Sequence, residues 1–501
     1  MENTLLNGLK NATNYDYTTN GAIMYKNLKS ELLELFGLGA SYRSRSDEDC
    51  ILLFKNAYEE NPTYALKCLF YFRDVIEGQG ERRFFKVCLK WLARENPDMV
   101  IRNLENIPDY GRWDDLFCLF DTPVEKDMLE VIKYQLETDV YSEHPSLLAK
   151  WLPSNNTSSK KTRALARRIS NYLNLSNKQY RKTLSILRKR INVLEKLMSA
   201  NKWDEIEFDK IPSVAGMRYR EAFKRHDIER KQSEKEVISY EEFAKDTTKK
   251  VNAKALYPYE CVEQVRTNYR GYRKPMIDET TRAMLNKYWE NIPDVLKDAT
   301  FNGIVMCDTS GSMTWGSASA MPIDVAISLS IYCAERAKGP FNGYYISFAS
   351  HPQLIKVEGV DFCDKVLRIY KTNLIDNTNL EAAFDLLLDT ALKNNCSQED
   401  IPESVLVISD MQIDSAVGYR KHYSTKDMEV IKAKWTRAGY KCPRLIYWNV
   451  NAVKDTFLDN DPNTTYVSGF SQNIFKQLMT GKTNYELMME VLDGERYKRI
   501  F

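Results

Sequence analysis

The stretch Phe301 to Trp315, reading FNGIVMCDTSGSMTW, constrains the fold more than any other. Ile304, Val305, Met306 and Cys307 are a short continuous apolar run, the pattern of a strand covered on both faces. The run stops at Asp308, and Ser310, Gly311 and Ser312 follow. One carboxylate and two hydroxyls thus stand at alternate positions around a glycine, and a tight turn brings all three oxygens to one place. Oxygen donors of this kind suit a hard divalent cation such as Mg²⁺, which commonly keeps open positions for water or a partner.

Two later stretches extend the pattern. Ser404 to Asp410 (SVLVISD) is a second apolar strand ending in an acid, and Asn377-Thr378-Asn379 is a polar turn ahead of a helix starting near Leu380. In an open parallel sheet, ligands sit beyond the carboxyl ends of the strands, where connections diverge. Asp308 and Asp410 both belong at that edge. A plainer reading makes Asp308 a turn cap and the serines turn formers; Thr378 and Asp410 weigh against it. A phosphatase of the strand-Asp-x-Asp-x-Thr type needs a second acid where Ser310 stands, and no Gly-x-x-x-x-Gly-Lys-Ser/Thr loop occurs.

At 501 residues the chain is long enough for two or three domains with their own cores. Its formal net charge of +2 gives no global bias toward nucleic acid, so any such signal is local. No apolar run reaches the length of a membrane helix, and the first residues do not read as a secretory signal. Ten cysteines without C-x-x-C pairs and four scattered histidines suggest buried thiols in a reducing, cytoplasmic setting rather than disulfides or zinc.

The first half is helical by periodicity. Residues 1–22 read as an arm, 23–295 as a helical-repeat region and 296–501 as an α/β region in which strands alternate with helices. Asn61-Pro62 and Asn96-Pro97 each open a helix, 35 positions apart, which hints at a helix-pair repeat. The local basic signal lies in 155–190, which contains no Asp or Glu. It carries Lys160, Lys161, Arg163, Arg167, Arg168, Lys178, Arg181, Lys182, Arg188, Lys189 and Arg190. Such a cluster attracts phosphates regardless of sequence, and the interleaved Tyr172 and Tyr180 suit stacking on unpaired bases. The helical stripe Leu184, Leu187, Ile191 predicts that Arg181, Lys182, Arg188 and Lys189 project outward. A solvated basic face without a partner is the plainer alternative. Tyr269, Arg270, Tyr272, Arg273 and Lys274 form a second basic-aromatic cluster, equally readable as an interdomain contact. Residues 224–250, of mixed charge, read as a long exposed helix plus linker with His226 on its surface.

Asp308-x-Ser310-x-Ser312, Thr378 and Asp410 match, in type and order, the metal-ion-dependent adhesion site of von Willebrand factor A domains. Phe72-Arg73-Asp74, Gly78 to Arg83, Tyr110 to Asp115 and Lys150 to Ser154 resemble the TROVE module of the Ro ribonucleoprotein autoantigen. They are closer still to a related uncharacterised family with the same two-domain layout. The resemblance implies a HEAT-like helical ring or arc followed by a doubly wound von Willebrand factor A domain. It implies a non-catalytic, monomeric RNA-binding protein that takes small non-coding or misfolded RNA by single-stranded ends or on a basic outer face. It also implies Mg²⁺ or another divalent cation held by the serines, Thr378 and one carboxylate, with the other acid acting through water and a protein partner able to donate an acidic side chain. Two other readings stay open: a metal-dependent protein-interaction scaffold with no RNA role, and a hydrolase using the metal to activate water, for which no general base stands out.

Overall fold

The computed structural model describes residues 15–17, 23–25, 30–232, 237–269, 277–297, 301–314, 320–372, 379–411, 427–452, 464–478 and 482–501. A short antiparallel hairpin, Tyr15–Tyr17 with Ile23–Tyr25, comes first. The helical region then begins with α1 (Glu31–Leu38), α2 (Asp47–Glu60), α3 (Pro62–Arg73), α4 (Arg83–Glu95) and α5 (Pro97–Asn103). Asn61 and Asn96 do what the Asn-Pro pairs suggest. Each Oδ1 accepts an N–H of the first turn, from Tyr64 at 3.1 Å and Met99 at 3.2 Å, and each proline fills the opening position where no donor is missed.

The region continues through α6 (Glu125–Tyr141), α7 (Lys160–Tyr172), α8 (Asn177–Arg190), α9 (Pro258–Tyr269) and α10 (Glu279–Asn291). Residues 224–250 are not one long exposed helix. Ser213–Arg225, Asp227–Lys231 and Tyr240–Lys245 are separate short helices. Tyr240 and Phe243 pack on Phe208, and His226 stacks on Trp203 with ring centroids 3.9 Å apart. Arg230 is pinned at the break by the Ile238 carbonyl, 2.8 Å away. Charge content masked this apolar content.

The α/β region is a six-stranded sheet: β1 (Gly303–Asp308), β2 (Tyr344–Phe348), β3 (Leu354–Lys356), β4 (Ser404–Ser409), β5 (Arg444–Asn449) and β6 (Thr464–Ser468). Their spatial order is β3-β2-β1-β4-β5-β6, parallel throughout except for the antiparallel edge strand β3. Every residue of β1 is buried, as a strand covered on both faces requires. Helices α11 (Pro322–Arg336), α12 (Phe362–Thr372), α13 (Leu380–Asn394), α14 (Asp427–Arg437) and α15 (Asn484–Leu492) complete the layers. The architecture is a helical-repeat region followed by a doubly wound domain of the von Willebrand factor A type. The order reverses between β1 and β4, so their carboxyl ends form the switch point.

Both ends of the helical region clasp this sheet. At the first end α1 lies on β6, where Gly37 faces Tyr466 so closely that an added Cβ would stand 3.3 Å from that side chain. The buried Asp74 carboxylate accepts from Arg496 Nη2 at 2.7 Å and from the Tyr497 hydroxyl at 2.9 Å. At the other end Arg266 holds Asp324 at 2.8 Å, Arg282 holds Asp361 at 2.6 Å, and Trp289 stacks on Phe362 at 4.1 Å. The two ends also meet each other. Gly80, at φ +64°, passes under Tyr257, whose hydroxyl would stand 1.7 Å from any Cβ there.

Candidate metal centre and nucleic-acid surface

β1 delivers Asp308 to the switch point fully buried. Its Oδ1 accepts the Ser310 N–H at 2.8 Å, an Asx turn that folds the loop back over the strand end. The Ser310 and Ser312 hydroxyls then lie 3.0 Å apart. Gly311–Thr314 form a single helical turn, anchored by the buried Met313 and closed by the Thr314 hydroxyl on the Gly311 carbonyl at 2.7 Å. The neighbouring strand end carries Asp410, also buried. Because Cys307 pairs with Ile408, Ser409 falls opposite Asp308, and its hydroxyl donates to Asp308 Oδ2. Ser409 in turn accepts the Met411 N–H at 3.0 Å, and Met411 takes φ +62°, a left-handed conformation unusual for its type.

Asp308, Ser310 and Ser312 therefore share one loop, and Asp410 stands at the adjacent strand end. Thr378, Trp315 and the Arg270–Lys274 cluster lie outside the described residues. Asn379 caps α13, its Oδ1 accepting the Ala382 N–H at 2.9 Å. Among the described residues no cluster of three or more His, Cys, Asp or Glu has metal-binding geometry. The donors at the switch point are oxygens only, mostly hydroxyls, a set that fits a hard cation and not zinc. Burial pushes the thiol of Cys307, next door, up to about 12. Ser409 escaped the sequence reading because it ends an apolar run. Its only signal was strand alignment with Asp308.

The basic segment divides into two classes. Lys160, Lys161, Arg167, Lys178, Arg181, Lys182 and Lys189 are exposed on α7 and α8. The other members are structural. Tyr180 is completely buried and donates to the Pro153 carbonyl at 3.0 Å, so it offers no face to a base. Arg188 does not project outward; it fastens the Ala149 carbonyl, the Leu152 carbonyl and Ser154 at 2.7, 2.7 and 2.8 Å. Arg190 is exposed as well, but its guanidinium binds carbonyls at the end of α6, including Val140 at 3.0 Å, and Arg163 binds those of Thr157 and Ser158 at 2.6 and 2.8 Å. Arg168 bridges to Asp121 at 2.9 Å and to Glu125 at 2.5 Å. Tyr172 donates to Glu130 at 2.5 Å. Lys160 and Lys161 occupy the first turn of α7, which has no acid. A cation there opposes the helix dipole by roughly 0.3–1 kcal/mol unless an anion is bound.

The motifs around Arg73, Gly78 and Tyr110 meet in one network around the buried Asp115. Arg73 and Arg82 each donate to Asp115 at 2.7 Å, Asp115 accepts the Arg112 N–H at 3.0 Å, and the Arg112 guanidinium lies 4.3 Å over Trp151. They hold the first helices together.

A profile described as "Domain of unknown function (DUF2828)" matches residues 18–136 and 146–300, more than half of the chain. The chain belongs to the DUF2828 family. A second profile, "Domain of unknown function (DUF7788)", matches residues 302–498, so this DUF2828 protein carries its sheet domain as a separately described unit. Uncharacterized protein L728 of Acanthamoeba polyphaga mimivirus is 28% identical over 94% of this chain and 85% of its own length. Among solved structures, the Ro (RSR) protein of Deinococcus radiodurans matches over 96% of each chain with 14% identity and a TM-score of 0.37. No helix of the described residues is long and apolar enough to cross a membrane.

Proposed function

We propose that this DUF2828 protein is a non-catalytic, cytoplasmic RNA-binding protein. It takes small or misfolded RNA on the exposed face of α7 and α8. The observation that carries the reading is the set of seven outward cations, Lys160, Lys161, Arg167, Lys178, Arg181, Lys182 and Lys189, in a segment without a single acid. Such a face attracts phosphates by charge and counterion release. In the same reading Asp308, Ser310, Ser312, Thr378 and Asp410 hold Mg²⁺ or another divalent cation. When bound, the ion supplies a positively charged contact able to take an acidic side chain from a protein partner. The test is RNA co-purification from cells, comparing wild type with Lys178, Arg181, Lys182 and Lys189 changed to Gln. Enriched small RNA that disappears in the variant supports the reading and identifies the ligand. A folded wild type without enriched RNA overturns it and leaves the metal-dependent scaffold.

A further inference from the structure

A cavity of about 730 Å³ opens where the first helices meet the sheet domain, lined from the turn after α1, the approach to α4 and its first turns, the start of α9 and Phe470. Its wall carries five cations, Arg43, Arg45, Arg82, Arg83 and Lys86, and a single acid, Glu81. That acid is engaged elsewhere. Its Oε1 accepts the N–H groups of Arg83 at 2.9 Å and Phe84 at 3.3 Å, and its Oε2 lies 3.0 Å from Arg43 Nη2. The carboxylates that pair with Arg82, Arg83 and Lys86 are not part of the wall, and Asp114 is one of two on Arg82. Asp47 pairs with Arg83, and Asp115 lies 2.7 Å from Arg82 Nε and 3.4 Å from Lys86 Nζ. On the wall itself the cations outnumber the acid. A second observation is independent of charge: Gln79, 5% exposed, has its Oε1 buried without a partner, as are Arg43 Nε and the Tyr257 hydroxyl, all on wall residues. Buried polar groups left unmatched point to a missing partner. Neither the metal loop nor the α7–α8 face contributes to this wall.

We propose that this cavity binds an organic phosphate of nucleotide size, with the phosphate on the Arg83–Lys86 side. The volume falls within the range of small-ligand sites, and arginine forks with a lysine point charge suit a phosphomonoester. Two sources share that chemistry: a free nucleotide and the phosphorylated end of an RNA. A ligand gripped by distant parts of the chain binds the folded state alone and raises its unfolding temperature.

The experiment is calorimetric titration of the full chain with adenosine 5′-monophosphate, adenosine, and one short oligoribonucleotide carrying either a 5′-phosphate or a 5′-hydroxyl. The expected result is saturable binding of adenosine 5′-monophosphate, none of adenosine, and at least tenfold weaker binding by Arg83→Gln/Lys86→Gln. A tenfold preference for the phosphorylated oligonucleotide, lost in that variant, identifies an RNA end; equal binding of both oligonucleotides identifies a free nucleotide. No saturable binding of any phosphorylated probe, or equal binding by the variant, overturns the proposal. Should the double variant fail to fold, Lys86→Gln alone decides between the same outcomes. The α8 charge variant retains adenosine 5′-monophosphate binding, so failure here and failure of the RNA reading are told apart.

Discussion

Asp308 meets the rest of the molecule through two hydroxyl-bearing residues of different standing. Ser310 was legible as part of a D-x-S-x-S loop. Ser409 was not, because a lone serine at the end of SVLVIS has no periodic signature and acquires its role only when β1 and β4 pair. Ser409→Ala leaves a buried carboxylate oxygen short of a donor and should destabilise the fold by roughly 1–3 kcal/mol. Urea unfolding measures it, and a change below 0.5 kcal/mol would show that the contact adds little. Asp308→Ala should abolish any Mg²⁺-dependent rise in unfolding temperature while leaving RNA binding intact, and loss of both together would tie the two sites. Glu260 gives a pH signature. Burial pushes its carboxyl up to about 7, against the lowering effect of the Tyr257 N–H that it accepts. Between roughly pH 4.5 and 7 the folded chain holds a proton that the unfolded chain has released. This contribution to stability is therefore full below pH 4.5 and lost as the pH rises through 7. Glu260→Gln should flatten that part of the unfolding-temperature profile and raise stability at pH 8; an unchanged profile would refute it.

At the scale of elements, α8 shows what periodicity gives and what it withholds. Tyr180 stands four residues before Leu184 and seven before Leu187, so it belongs to the apolar stripe by spacing alone, and the structure buries all three. Reading it as a stacking platform set residue type above position. Arg188 sits beside Leu187 at the stripe's margin, and its guanidinium turns back to carbonyls that no sequence pattern announces. The strands were easier. Continuous apolar runs bounded by turn residues located β1 and β4 to within a residue, since strands buried on both faces admit nothing else. Changing Lys178, Arg181, Lys182 and Lys189 to Gln should reduce the steepness of log affinity against log salt by up to about 3 for single-stranded RNA, since each lost phosphate contact removes about 0.7. Binding assays from low to moderate salt measure it, and an unaltered slope would place the RNA elsewhere.

For the whole molecule, the clasp between the first helices and the last residues is the controlling feature. Arg496→Ala strands the fully buried Asp74 carboxylate and should lower stability by roughly 3–5 kcal/mol. Chemical denaturation checks this, and a loss under 1 kcal/mol would show that water reaches Asp74 readily. None of this was legible in the sequence, because Asp74 and Arg496 are 422 positions apart and neither lies in a pattern naming the other. That separation has a consequence for biosynthesis. Asp74 leaves the ribosome long before its partner is made. At about 5–20 residues per second the delay is roughly 20–80 s. Through that interval the first helices present to the cell the surface that β6 and the chain's last residues will later cover. The nascent chain thus exposes that surface until synthesis has passed Arg496, and the docking of the clasp waits on it.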